Sequence, residues 1–282
     1  MITAVELHRA AEKEGLRFDQ VEKDYVILWI LSSLAGVLGA ESRWVFKGGT
    51  CLRHCYYPGH RFSEDIDFTC LMKDLNIGAS IEILNNAARV IENKTGLKMI
   101  VKAGQASGGE EQLEIPVQYS RGGPRSQGLP TVRVHLTFDE PVLIEPEACK
   151  VVPPYSDLLP FSISAYSKLE IIAEKMRALL QQQEKWPRPR DLYDLWFILC
   201  SKKEEYPQDQ LQRSFSIKCR SKRIENDPEA LTSEKLREWN RNAWKNQLGQ
   251  MMREVPDYDM VWDDWTKKCR GIFRTDFPRK GG

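Results

Sequence analysis

Gly48-Gly49-Thr50-Cys51-Leu52 and, across a short loop, Arg61-Phe62-Ser63-Glu64-Asp65-Ile66-Asp67-Phe68 are the stretches that decide how this chain folds. The first follows an apolar run, Trp44 to Phe46, that reads as a strand, and it opens a helix expected to reach about Tyr57. Glycines at such a junction let the backbone approach a phosphate closely and turn N–H groups toward it at a helix N-terminus. The second stretch, beyond the loop Pro58 to Arg61, reads as a strand from Asp65 to Thr69. Side chains alternate along a strand, so Asp65 and Asp67 project from one face while Ile66 and Phe68 enter the core. Two carboxylates so close repel unless a cation lies between them, and hard oxygen ligands suit Mg²⁺, which also bridges a triphosphate. Taken singly, positive φ explains a Gly-Gly turn and solvent explains an acidic strand face. In this order the two point to a nucleotide site.

Outward from that centre the chain changes character once. Upstream, Asp19 to Gly36 reads as a packing helix whose broad apolar face includes Val21, Tyr25, Leu28, Trp29 and Ile30. Downstream lie a helix around Ala79 to Thr95 and β-like runs at Lys98 to Lys102, Leu113 to Tyr119 and Thr131 to Phe138. The Gly- and Pro-rich stretch Ser120 to Pro130 reads as a connection between the last two. After the breaks at Pro153-Pro154 and Pro160 the apolar period shifts from two to helical, with helices expected at about Ser164 to Gln183, Arg190 to Ser201, Pro207 to Arg223, Thr232 to Gln247 and Tyr258 to Ile272. The fold class is therefore α/β (α+β). An α/β domain is expected over residues 1–152 and a helical C-terminal domain over 161–282.

Composition sets limits on partners. Lys plus Arg number 41 against 40 Asp plus Glu, a net charge of +1, so any nucleic-acid site has to be a local patch. No stretch approaches the ~18 uncharged apolar residues of a membrane span, and the first residues lack a secretory pattern. Seven irregularly spaced cysteines fit free thiols in a reducing compartment, so a cytoplasmic protein is expected, with no membrane partner.

The ordered motifs resemble those of the DNA polymerase β-like nucleotidyltransferase superfamily, in which a Gly-Gly or Gly-Ser turn precedes an Asp-x-Asp strand. More narrowly, Gly48-Gly49-Thr50 with Leu52, then Arg61 with Ser63-Glu64-Asp65-Ile66-Asp67, is similar to the AbiEii/AbiGii abortive-infection toxin family, the toxin half of type IV toxin–antitoxin systems. Two further segments agree: Glu22-Lys23-Asp24-Tyr25, and Ala173-Glu174-Lys175-Met176-Arg177-Ala178-Leu179 followed by Pro189-Arg190-Asp191-Leu192-Tyr193-Asp194-Leu195. The resemblance implies a nucleotidyltransferase-fold mixed sheet with flanking helices, an NTP substrate and Mg²⁺. For some relatives it implies nucleotide addition to the tRNA acceptor end, and for the type IV setting an antitoxin encoded nearby.

The residues assigned to the site follow. Asp65 and Asp67 are expected to hold Mg²⁺ and act in catalysis, and Gly48, Gly49, Thr50 and Ser63 to bind the nucleotide. On the helix from Ser164, residues Leu169, Ile172, Ala173, Met176 and Leu180 make a buried stripe with Lys168 and Lys175 at its edge. A lysine there can lay its stem over the core and present its ammonium to a triphosphate, so Lys175 is expected to contact phosphate. Asp191 is expected to serve the site as a polar positioning or acid–base group, with Asp194 beside it. One departure stands out. Many superfamily members carry a third metal-binding acid on a later strand, and in Val132-Arg133-Val134-His135-Leu136 its place is taken by His135. Glu114 or Glu111 then becomes a candidate third ligand.

Other features carry less. Cys51, His54, Cys55 and His60 lack the paired knuckles of a zinc site. Lys218, Arg220, Lys222 and Arg223 fit either RNA phosphates or a solvated helix end. Trp239, Trp244, Trp262 and Trp265 read as core of the helical half rather than as stacking platforms. The expected function is Mg²⁺-dependent transfer of a nucleoside monophosphate from an NTP to an acceptor, with the tRNA 3′ end as a candidate, by the toxin of a two-gene system. Nucleotide binding without turnover and small-molecule nucleotidylation are the competing readings.

Overall fold

The computed structural model describes residues 1–38, 43–71, 77–108, 111–122, 128–181 and 186–273. The centre of the Ser120 to Pro130 connection and the last residues of the helix expected to reach Gln183 lie outside them. The chain forms two compact units, one comprising Met1–Lys168 with Met251–Arg253, the other Leu169–Gln250 with Glu254–Gly282.

The first unit is built on one mixed sheet. Its strands are β1 (Trp44–Lys47), β2 (Asp65–Cys70), β3 (Lys98–Val101), β4 (Ser107–Gly108), β5 (Gln112–Ser120), β6 (Thr131–Thr137), β7 (Glu147–Val151) and β8 (Phe161–Ala165). They lie in the order β3-β5-β6-β2-β1-β8-β7, with β4 added on β5. At the centre, β2 runs antiparallel to β1 and parallel to β6. Phe46, Ile66, Phe68, Val134, Leu136, Leu113 and Ile115 share one face and are buried, whereas Asp65, Asp67, His135 and Glu114 share the other and are partly open. Period-two alternation thus fixes which face carries chemistry.

Helices α1 (Ala4–Glu14), α2 (Phe18–Leu38), α3 (Gly48–Cys51) and α4 (Ile77–Thr95) complete this unit. Tyr25 through Leu31 are all buried, because α2 is apolar nearly all round, and it packs against α1, α4 and β8. Charged side chains also lie in this packing, Asp24 deepest among those on α2. Asp24 accepts from the Arg53 Nε at 3.1 Å and the Tyr155 hydroxyl at 2.9 Å, and the His54 Nε2 lies 3.1 Å from it. Burial alone would raise its pKa, but the charges and hydrogen bonds of His54, Arg53 and Tyr155 outweigh this and hold it well below the usual carboxylate range.

The structure departs from the sequence reading beyond residue 150. Phe161–Ala165 is β8, paired antiparallel with β7, where a helix was expected from Ser164. Pro153, Pro154 and Pro160 therefore sit in the connection between two paired strands, and the helical period begins at Lys168. The pattern Phe-Ser-Ile-Ser-Ala alternates, but five residues are too few to separate a strand from a helix start by period.

The second unit consists of α5 (Lys168–Gln181), α6 (Pro189–Trp196), α7 (Gln208–Ser221), α8 (Glu234–Leu248) and α9 (Tyr258–Phe273), with Lys168 itself counted in the first unit. The expected stripe from Leu169 to Leu180 is buried, as are Trp244, Trp262 and Trp265, while Trp239 is half-buried. Trp244 and Trp265 donate their indole N–H groups to the Pro256 and Leu231 carbonyls. Lys218 is fully buried and pairs with Glu170 at 2.7 Å, which fastens α7 to α5 and removes that lysine from the basic cluster. Among the described residues no helix is long and apolar enough to cross a membrane.

Removing one partner of a buried, hydrogen-bonded ion pair strands the other charge. Asp24→Asn should therefore lower unfolding free energy by about 3–5 kcal/mol, and Tyr155→Phe by only about 1 kcal/mol. Denaturant unfolding of the two variants checks this, and equal losses would refute the charge argument.

Candidate functional site

The strand β2 carries the centre of the site. Cross-strand pairing sets Lys47 opposite Asp67, Asp67 opposite His135, and His135 opposite Glu114, so four charged or titratable groups form one row across the open face. His135 Nδ1 lies 3.4 Å from Asp67 Oδ1, its Nε2 lies 3.3 Å from Glu114 Oε2, and Arg133 Nε lies 3.4 Å from Glu114 Oε1. His135 thus stands between Asp67 and Glu114, while Glu111 is exposed ahead of β5. Of the two candidate third acids, Glu114 is the one in the row.

The charges of this row act on one another. Burial and the neighbouring Asp67 and Glu64 raise the Asp65 pKa above its ordinary value, and His135 and Arg133 offset this only in part. Burial would lower the pKa of His135, but its hydrogen bond to Asp67 and the charges of Asp67, Asp65 and Glu114 raise it overall. The donor set, two oxygen carboxylates whose charges oppose each other, fits a small hard cation held by few protein ligands and completed by phosphate and water. Among the described residues no group of three or more His, Cys, Asp or Glu side chains is gathered as a metal site, and this includes Cys51, His54, Cys55 and His60.

Two glycines let the site close on itself. Gly48 has φ +79°, and a Cβ there would run into the Asp67 carboxylate. A Cβ on Gly49 would lie 2.8 Å from Arg61 Nη2 and 3.0 Å from Ser63 Oγ. Gly48, Gly49, Ser63, Asp65 and Asp67 are therefore brought together, as the sequence suggested. Thr50 is fully buried and spends its hydroxyl on the Asp65 carbonyl, so it ties α3 to β2. Arg61, quoted from the sequence only as part of the motif, and Lys47 are not among the residues assigned to the site there. Lys47 is buried, with its Nζ 5.6 Å from the centre of the Tyr166 ring. Its position immediately before Gly48, on the face opposite Phe46, was the available signal.

In the second unit Lys175 Nζ lies 2.7 Å from Asp191 Oδ1 and 2.7 Å from Asp194 Oδ2, and Arg188 Nη1 is 3.0 Å from Asp191 Oδ2. Lys175 does not snorkel from a helix edge. It is buried at 6% exposure, because two carboxylates on α6 draw its ammonium inward. Burial would raise the Asp191 pKa, and Lys175 and Arg188 bring it below its ordinary value. Arg188, just before Pro189, was also missed. Lys168 is differently placed, in the first unit, with its Nζ 5.8 and 5.5 Å from the Tyr56 and Tyr57 ring centres.

Residues 29–268 match the family model for the nucleotidyl transferase AbiEii toxin of type IV toxin–antitoxin systems. The fold is similar to that of MenT4, a nucleotidyltransferase toxin from Mycobacterium tuberculosis, with a TM-score of 0.68 and 19% identity over 99% of this chain and 91% of that one. It is also similar to JHP933 from Helicobacter pylori, with a TM-score of 0.59 and 19% identity over 91% of this chain and 93% of that one. No curated protein matches the sequence.

Asp65 has a raised folded pKa, so its contribution to stability is present below the unfolded carboxylate pKa and is lost as pH rises through the folded value. Asp65→Asn should accordingly raise the melting temperature of the metal-free protein at neutral pH, and the gain should shrink as pH falls through the carboxylate range. Melting curves across pH test this. A variant less stable than wild type at neutral pH would contradict it.

Proposed function

The chain belongs to the AbiEii nucleotidyl transferase toxin family, and on that premise we propose that it transfers a nucleoside monophosphate from an NTP to an RNA acceptor, with the tRNA 3′ end as the first candidate. The observation that carries this reading is the close packing of Gly48 against Asp67 and of Gly49 against Ser63 and Arg61, beside two carboxylates in mutual repulsion. Asp65 and Asp67 would hold Mg²⁺, which when bound neutralises the triphosphate and the leaving pyrophosphate. The Gly48 and Gly49 backbone and the Ser63 hydroxyl orient the triphosphate. The acceptor oxygen forms a bond to the α-phosphorus, the bond to the β-phosphate bridging oxygen breaks, and the hydroxyl proton leaves to a base.

Lys175 and Asp191 are proposed as a second catalytic group, the lysine as a cation for phosphate and the aspartate as its positioning or acid–base partner. The paired carboxylates of Asp191 and Asp194 support this by holding the ammonium in one place. Membership of a type IV toxin–antitoxin family implies an antitoxin partner. A second reading, nucleotide binding without turnover, is favoured by His135 standing where many relatives place an acid.

Incubation with labelled NTPs and total RNA separates the two readings. Label entering RNA supports transfer, and NTP binding without label supports the binding module. Asp67→Ala should abolish labelling, and Lys175→Met should lower turnover ~10²-fold or more, as expected for a cation aimed at developing charge. Wild-type rates in Lys175→Met alongside an inactive Lys168→Met would assign the role to the other lysine. Mg²⁺ with a non-hydrolysable NTP should raise the melting temperature of wild type and not of Asp67→Ala, since only a ligand bound to the folded state stabilises it.

A further inference from the structure

The first turns of α2 contain Lys23 and Asp24, which the transfer mechanism does not use. Asp24 is nearly inaccessible and holds Arg53 and His54, both on the turn that continues α3 from Gly48-Gly49. The same Arg53 guanidinium bonds Glu14 on α1 and the His60 carbonyl. His60 directly precedes Arg61, the residue that fills the space above Gly49 together with Ser63. One guanidinium therefore pins both arms of the site, the glycine turn and the Arg61-to-Ser63 approach to β2. Lys23, next to Asp24, lies 3.6 Å from Glu64, between Ser63 and Asp65.

This arrangement is poorly suited to stability alone. A buried ion pair contributes little over a well-packed apolar replacement, and its best-attested use is to fix one register among alternatives. Register matters here because the two arms approach closely, with a Cβ on Gly49 falling 2.8 Å from Arg61 Nη2 and 3.0 Å from Ser63 Oγ. A shift of either arm changes that spacing.

We propose that Asp24 and Lys23, acting through Arg53 and Glu64, are positioning residues for the nucleotide site, setting the spacing between the Gly48-Gly49 turn and the Arg61-to-Ser63 arm. The proposal rests on these arms being the triphosphate site. Arg53→Lys keeps the buried charge but loses the forked contact to both arms. Lys23→Met breaks a partly exposed pair, of the kind whose loss costs little stability, so it provides a variant that folds. Tyr155→Phe removes the hydroxyl's contacts with Asp24 and the Val21 carbonyl and leaves Arg53 and Glu64 untouched.

Steady-state labelling with the full chain should show the NTP KM raised about tenfold or more in Arg53→Lys and Lys23→Met, with kcat changed less. Tyr155→Phe should lower the melting temperature and leave KM within about twofold. Wild-type KM in both Arg53→Lys and Lys23→Met, or an equal rise in Tyr155→Phe, overturns the proposal. Amide exchange of the same proteins separates this from failure of the transferase reading. If wild type labels no acceptor, faster exchange confined to Gly48–Cys51 and Arg61–Asp67 in Lys23→Met still supports the brace. Unchanged exchange there overturns it.

Discussion

Asp65 and Asp67 repel each other across one residue of β2, and much of the first unit is arranged to hold them in place while they do. Their strand lies between β1 and β6, where pairing on both sides leaves the backbone no freedom to move the two carboxylates apart. Burial and the neighbouring charge raise the proton affinity of Asp65. Compensation inside the protein is partial, from His135 and Arg133 on the next strand. A complete internal ion pair would have satisfied the carboxylates within the sheet.

The neighbours of this pair follow from strand register. Because cross-strand partners share a face, Lys47, Asp67, His135 and Glu114 fall in one row. A slip of one residue in any of the four strands would send the charged group into the apolar core and an apolar residue to the site. The glycines serve the same geometry from the other side, since a side chain at Gly48 would occupy the space taken by the Asp67 carboxylate. Sheet register and the glycine turn are thus two constraints on a single spacing, and the buried Asp24 to Arg53 contact acts on the turn.

The second unit treats charge differently. Lys175, Asp191, Asp194 and Arg188 neutralise one another at short range, and Glu170 with Lys218 do so in full burial. Such pairs hold α5 to α6 and α5 to α7 by directional contacts that a greasy interface lacks. A lysine held this way is a fixed charge rather than a mobile one.

Alternation in Asp65-Ile66-Asp67-Phe68, the Gly48-Gly49 turn and the helical period of the second half are local properties, so the sequence by itself determined the fold class, the acidic pair and the family. The same locality explains its misses. Phe161–Ala165 became a strand because β1 and β7 offer it partners, a circumstance no short window contains. Lys175 is buried because Asp191 and Asp194, distant in the chain, meet its ammonium, whereas the helix alone placed it at the edge of the buried stripe. Thr50 turned to the Asp65 carbonyl, and Lys23 and Asp24 gained their partners Glu64 and Arg53, only once the chain had folded back on itself. Period and turn chemistry act over a few residues and are written in order along the chain. Charge pairing and burial act between segments brought together by folding, and they were decided by the tertiary structure alone.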